Sequence, residues 1–183
     1  MGYDVVAWIM ACVISIHFSI LINGSPNGFF RGNIGLWQGC PLSPLLFLTV
    51  IDGFNHLIGD AKSKGLLKGI GVSDNQYLSH ILFVDDVLLF GCGTRQEWKC
   101  YFDIIKLFCL ASTMEISPSK SCFIVSGRVI DEHILELFPF FMVSIDEGFS
   151  YLGFTLKPNG YNKIDWFRLL ERVERRITRR CYR

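Results

Sequence analysis

The sequence predicts an α+β fold built on antiparallel strands. Three features carry that expectation: short apolar runs with period-two alternation, turn residues that set consecutive runs side by side as hairpins, and amphipathic segments at helical spacing between them. Strands joined by tight turns pair antiparallel, whereas a doubly wound parallel sheet needs a crossover after each strand. The 183 residues, half of them hydrophobic and 14% aromatic, suffice for one domain with its own core, or one domain plus an appendage.

Each element follows from its residues. Tyr3 to Cys12 reads as the end of a helix. Ile14, Ile16, Phe18, Ile20 and Ile22 then alternate with Ser15, His17 and Ser19, a half-buried strand. That alternation, and the lack of a basic segment ahead of it, argue against reading Val5 to Ile22 as a membrane span or signal peptide. Asn23-Gly24 is a strong hairpin turn signal, and Asn27-Gly28 offers a second turn before Phe29-Phe30-Arg31. In "GLWQGCPLSPLLFLTVIDGFNHLI", Ser43 and Pro44 read as N-cap and first helical residue of an apolar helix through about Ile58. Gly65 to Asn75 reads as a connection.

"SHILFVDDVLLFG", Ser79 to Gly91, gives two short strands joined at Asp85-Asp86. Thr94 and Glu97 form a capping box for a helix carrying Trp98, Tyr101, Phe102, Ile105, Phe108 and Cys109 on its apolar side. "TMEISPSKSCFIVSG" reads as strand, turn at Pro118-Ser119, strand. Ile130 to Phe138 is a short helix, and Phe149 to Leu156 a strand closed by Pro158-Asn159-Gly160. A last helix aligns Trp166, Leu170, Val173, Ile177 and Cys181. No internal repeat or low-complexity tract interrupts the chain.

Net charge is only +1, but residues 163 to 183 hold eight basic side chains against three acidic ones. That local +5 leaves −4 for the rest. A basic helix on an acidic body suits either phosphates or plain solvent. The seven cysteines are an odd number without zinc-ligand spacing, and several sit in apolar runs. A reduced intracellular setting, nuclear or cytoplasmic, fits them.

Two adjacent carboxylates repel, and desolvating them is costly unless a cation neutralises them. At a tight strand-turn-strand both can be offered to one spot, and hard oxygen ligands favour Mg²⁺ with water and phosphates in its other positions. A solvated Asp-Asp turn accounts for the pair alone equally well.

The wider sequence decides between these. "FVDD" between apolar strands resembles the F/Y-x-D-D box of reverse transcriptases. "GLWQGCPLSPLLF" is similar to the G-L-R-Q-G-D-P-L-S-P-L-L-F segment of the non-LTR, LINE-type enzymes, particularly those of plants. "ASTMEISPSKS" resembles their S-G-L-K-I-N-x-x-K-S stretch, "YLGFTL" their Y-L-G block, and "WIMACVISIHFSILINGSPNGFF" the sequence ahead of the Q-G-x-P-L-S-P segment. Ordered blocks are far more specific than one motif.

The resemblance implies a polymerase palm over residues 1–160, an antiparallel sheet with helices on one face and incomplete at its N-terminus, followed by the start of a helical thumb at 161–183. It implies RNA-directed DNA polymerisation with two Mg²⁺ ions, an RNA template, a DNA primer and a deoxynucleotide, and no membrane; it leaves oligomeric state open. Asp85 and Asp86 would hold the metals, and Lys120 would assist pyrophosphate departure. Gln38, Gly39, Pro41 and Ser43 would line the template and nucleotide pocket, and Tyr151, Leu152 and Gly153 would form the primer grip.

Departures from the pattern are equally specific. Trp37 stands where the family usually has arginine and Cys40 where it usually has aspartate, and losing a bidentate cation is not conservative. Met1-Gly2 resembles an internal methionine-glycine pair that follows the family's first catalytic aspartate. The expectation is therefore a truncated fragment, catalytically incomplete by itself and with Mg²⁺ weakly held. Two other readings stay open: a non-catalytic nucleic-acid-binding remnant, and a receiver-like phosphoacceptor domain suggested by "ILFVDD".

Overall fold

An apolar run without turn residues makes the first helix, α1 (Tyr3–Ile14), longer by two residues than the alternation of isoleucines suggested. Strand β1 (His17–Ile22) follows and pairs antiparallel with β2 (Ser25–Arg31). Their two-residue loop, Asn23-Gly24, has positive φ at both positions, the type I′ pattern that matches the twist of paired strands. Asn27-Gly28 is no second turn. The register moves from Ser19 opposite Phe29 to Ile20 opposite Asn27, so Gly28, at φ +52°, is the extra residue of a β-bulge inside β2.

The computed structural model describes residues 3–32, 35–126, 132–158 and 160–181. Helices and strands are mixed along its length, so the chain is α+β. It falls into two compact units, Met1–Gly53 and Phe54–Arg183. The first holds α1, β1, β2 and the start of α2 (Leu42–Ser63). That helix begins one residue before Ser43, so Ser43 is not its cap, and it runs five residues past Ile58 to Ser63. By length and composition α2 could cross a membrane. Phe54, Ile58 and Ala61, however, recur at intervals of four and three and are buried in the core of the second unit.

That core gathers Leu67, Tyr101, Ile104, Phe123, Ile134 and Phe138 around the same helical stripe. Burial of each large side chain contributes about 1.5–3 kcal/mol against the entropy of ordering it. Helix α3 (Arg95–Ser112) supplies the largest share, with the Trp98 ring tilted against Tyr101 and Phe123 and edge-on to Phe138.

Among the described residues the strands pair as five separate ribbons rather than one sheet. Gly65 to Asn75, expected to be a connection, contributes strand β3 (Ile70–Ser73), which pairs with β4 (Gln76–Leu78). The acidic stretch forms β5 (His80–Phe83) and β6 (Asp86–Leu89). Met114 to Ser117 makes no strand. Thr113 ends α3 in the left-handed region, and Pro118–Lys120 winds into a 3₁₀ turn. Strand β7 (Cys122–Val125) therefore pairs parallel with β8 (Phe141–Ser144), across a crossover containing α4 (Glu132–Leu137), and not with an antiparallel neighbour before it.

Phe149 to Leu156 is two strands, not one: β9 (Phe149–Tyr151) and β10 (Phe154–Leu156) turn at Leu152-Gly153, again with positive φ at both positions. Helix α5 (Lys163–Cys181) comes last. Its expected stripe is left open, with Trp166, Leu170, Val173 and Ile177 all exposed. Met1-Gly2, Ile130 and Asn159, which carried sequence expectations, lie outside the described residues.

Candidate functional site

The β5–β6 hairpin is the element that presents the acidic pair. Phe83 lies opposite Asp86, Leu82 opposite Val87, Ile81 opposite Leu88 and His80 opposite Leu89, leaving Val84 and Asp85 as a two-residue loop. Leu82 and Leu89 turn inward onto the core, which fixes the register, because a slip of one residue would expose them. Both aspartates are exposed. Val84 has φ +54°, unusual for a β-branched residue, so the loop is held in a conformation that its own side chain disfavours.

The open end of the hairpin is tied to α3. The Phe90 amide donates to the Ser79 carbonyl at 2.8 Å. Tyr101 Oη lies 2.9 Å from both the Ser79 and Phe90 carbonyls, so one hydroxyl bridges the two strand ends as a three-centre donor. Burial first, and the Glu97 charge second, push the Tyr101 phenol well above its usual range. Thr94 Oγ1 caps α3 by accepting from the Glu97 amide at 3.4 Å. The expected reciprocal half of the capping box is absent. Glu97 turns inward: Oε1 accepts from the Lys68 and Gly69 amides at 3.0 and 2.8 Å, and Oε2 from the Cys92 amide at 2.6 Å.

Only glycine fits at position 69, where φ is +78° and a Cβ would collide with the Leu78 carbonyl. The Gly69 carbonyl in turn accepts from Cys92 Sγ at 3.1 Å. Burial pushes the Cys92 thiol up, and nearby Glu97 adds to it. Sequence reasoning read Glu97 only as a cap and Tyr101 only as core. A carboxylate four residues past a "GCG" segment was the available signal, since glycines let backbone amides crowd one acceptor.

His80 opens β5 with its ring between Asn55 Oδ1, 2.9 Å from Nε2, and Ser79 Oγ, 3.0 Å from Nδ1. Burial, then the Lys62 charge, holds its imidazole below the ordinary value.

The other expected site residues stand on separate elements. Gln38 and Gly39, the latter at φ +90°, form the turn before α2 in the first unit, with the Cys40 amide donating to the Trp37 carbonyl and the Ser43 amide to the Cys40 carbonyl. The Cys40 thiolate would accept from the Leu42 amide and then from Ser43 at the start of α2, which lowers its pKa. A cleft of about 420 Å³ within this unit is lined by Ser43, Cys40, Trp37, Arg31 and residues of α1, but not by Gln38 or Pro41.

In the second unit, Lys120 is exposed on the 3₁₀ turn ahead of β7. Tyr151, Leu152 and Gly153 form the tight β9–β10 hairpin. Tyr151 Oη is buried without a hydrogen-bond partner among the described residues. Arg172 of α5 lies over Gly153 so closely that a side chain there would strike its guanidinium.

Two exposed neighbouring carboxylates suit Mg²⁺, which typically takes one or two protein carboxylates and leaves its other positions to water and phosphates. Among the described residues no cluster of three or more acidic, histidine or cysteine side chains accompanies them.

The profile of the reverse transcriptase (RNA-dependent DNA polymerase) family matches residues 2–156. The chain belongs to the reverse transcriptase family. It is 44% identical over 97 residues to an uncharacterized mitochondrial protein of Arabidopsis thaliana, covering half of this chain and 80% of that protein. It is also 23% identical over 189 residues to a retrovirus-related Pol polyprotein from type-1 retrotransposable element R2 of Popillia japonica. That alignment takes in 96% of this chain but only 30% of the polyprotein. These relatives put the family member with the non-LTR type, and the α5 helix lies beyond the family match.

Proposed function

We propose that the chain is the palm portion of a retrotransposon RNA-directed DNA polymerase, in which Asp85 and Asp86 hold divalent metal against nucleotide phosphates. The observation that carries this reading is the exposed acid pair at the tip of a register-locked hairpin, within a chain matched almost throughout by the family profile. When bound, such ions supply Lewis-acid stabilisation of an attacking 3′-oxygen and a departing pyrophosphate. The chain's own part is to aim the two carboxylates and keep them fixed. Lys120 would donate a proton toward the departing pyrophosphate. The Gln38-Gly39 turn, Pro41 and Ser43 would contact template and nucleotide, and the Tyr151-Leu152-Gly153 hairpin would hold the primer.

Two carboxylates with no third ligand clustered beside them among the described residues hold Mg²⁺ weakly until phosphates complete its shell. The 183-residue polypeptide alone is therefore expected to bind primer–template and metal but not to extend the primer. Steady primer extension by the purified polypeptide, lost on Asp85→Asn, would overturn the incompleteness and keep the family chemistry. A lack of both extension and nucleic-acid binding would remove the functional reading. The Arg-rich α5 favours a second reading, nucleic-acid binding without catalysis. Binding that falls steeply with added salt and is unchanged by Asp85→Asn would support it.

A further inference from the structure

We propose that Tyr101, together with Glu97, is a positioning residue for the acidic hairpin: a single hydroxyl on α3 fixes both strand ends and so sets where Asp85 and Asp86 point. The inference rests on the metal-binding reading of that pair. Four strand pairs separate the base from the tip, a reach of roughly 14 Å at the rise of a β-strand. A tilt of about 5° at the base would then displace the tip by about 1 Å, beyond the tolerance of about 0.5 Å for a working site.

Apart from Tyr101, the base is held by the His80 ring against Asn55 and by Leu82 and Leu89 on the core, each of which restrains one strand alone. Ser79 and Phe90 share one ladder bond, and beyond Phe90 the chain enters Gly91-Cys92-Gly93, whose glycines give it little stiffness of its own. Tyr101 ties the two strands together from a side chain with no exposed surface, bonded to both carbonyls at once. Glu97, one helical turn earlier on the same face and 4% exposed, gathers the amides of Lys68, Gly69 and Cys92. The loop leaving β6 and the loop leading to β3 are thereby anchored to the same helix. A side chain at Gly91 would press on this anchor, since a Cβ would lie 3.0 Å from Glu97 Oε2 and 3.2 Å from the Trp98 ring.

Tyr101→Phe removes the hydroxyl and keeps the ring. Residual dipolar couplings of the Val84 to Val87 amides, measured against those of α3, report the hairpin's direction, and Mn²⁺ titration followed by broadening of the Asp85 and Asp86 amide signals reports affinity. Ile104→Val, a core truncation nearby, matches a loss of stability without touching the hairpin base. The expected result is reorientation of the hairpin and about a tenfold loss of Mn²⁺ affinity in Tyr101→Phe. Glu97→Gln should show the same trend, and Ile104→Val neither effect.

Couplings unchanged in Tyr101→Phe, or changed equally in Ile104→Val, would overturn the positioning role. Mn²⁺ broadening that survives Asp85→Asn would instead overturn the metal reading, and the couplings would still decide the role of Tyr101. Should Tyr101→Phe fail to fold, Glu97→Gln answers the same question from the other anchor.

Discussion

Val84 carries a cost that its neighbours must offset. A non-glycine residue in the left-handed region is disfavoured by roughly 1–2 kcal/mol, while glycine loses about 0.5–1 kcal/mol more backbone entropy on folding. Val84→Gly is therefore expected to be neutral to slightly stabilising in thermal melts, yet to raise amide exchange at Asp85 and Asp86. Slower exchange at those amides would show that the valine does not stiffen the loop. His80 sets a pH dependence. Its folded pKa lies below the ordinary 6.5, so the unfolded chain binds the proton more readily. Stability is then complete above about 6.5 and drains away as pH falls through that value toward the lower folded one. Melting temperature should drop from about pH 7.5 to about pH 5.5, and His80→Gln should flatten that slope. An unchanged slope in the variant would assign the effect to other groups.

At the scale of elements, α3 is the most consequential helix because it both fills the core and ties down the hairpin. Thr94→Ala is expected to cost about 1 kcal/mol through loss of the N-cap, read as a lower urea midpoint at constant slope. A change within the error of the midpoint would mean that the 3.4 Å contact contributes nothing. This helix and the acidic hairpin were legible in the sequence, because a strong apolar period and a tight turn are local signals, although the loop falls at Val84-Asp85, one residue before the expected Asp85-Asp86. The β3–β4 hairpin was not. Its strands are three and four residues long, exposed for the most part, and built on Ile70-Gly71-Val72, too short for a period to emerge. The parallel pairing of β7 with β8 was hidden for a different reason: partner choice is non-local, and Pro118–Lys120 looked like a hairpin turn until its 3₁₀ winding was seen. The same holds for Glu97. Its position announced a cap, while its three amide donors come from residues 68, 69 and 92, which only the folded chain brings together.

At the scale of the molecule, the chain is an α+β member of the reverse transcriptase family with an exposed acid pair, and the apolar stripe of α5 and its Arg172, Arg175 and Arg176 are exposed as well. Lys157 and Asp165 pair at 2.7 Å with both side chains mostly covered, joining the end of the β9–β10 hairpin to the start of that helix. The hydrogen bond from Lys157, with the Asn162 amide next, lowers the Asp165 carboxyl below its usual range. A basic helix so anchored should make nucleic-acid affinity fall with salt, and Arg172→Ala and Arg176→Ala together should reduce the slope of log affinity against log salt by about one or two. An unchanged slope would place the phosphate contacts elsewhere. The central claim is that Asp85 and Asp86 hold divalent metal against phosphates, and Mn²⁺ titration of the wild-type polypeptide and of Asp85→Asn, each with bound primer–template and deoxynucleotide, tests it most directly. Selective broadening at residues 84 to 87 that strengthens with the nucleotide and vanishes in Asp85→Asn is the predicted result; broadening absent from the hairpin, or indifferent to the substitution, would contradict it.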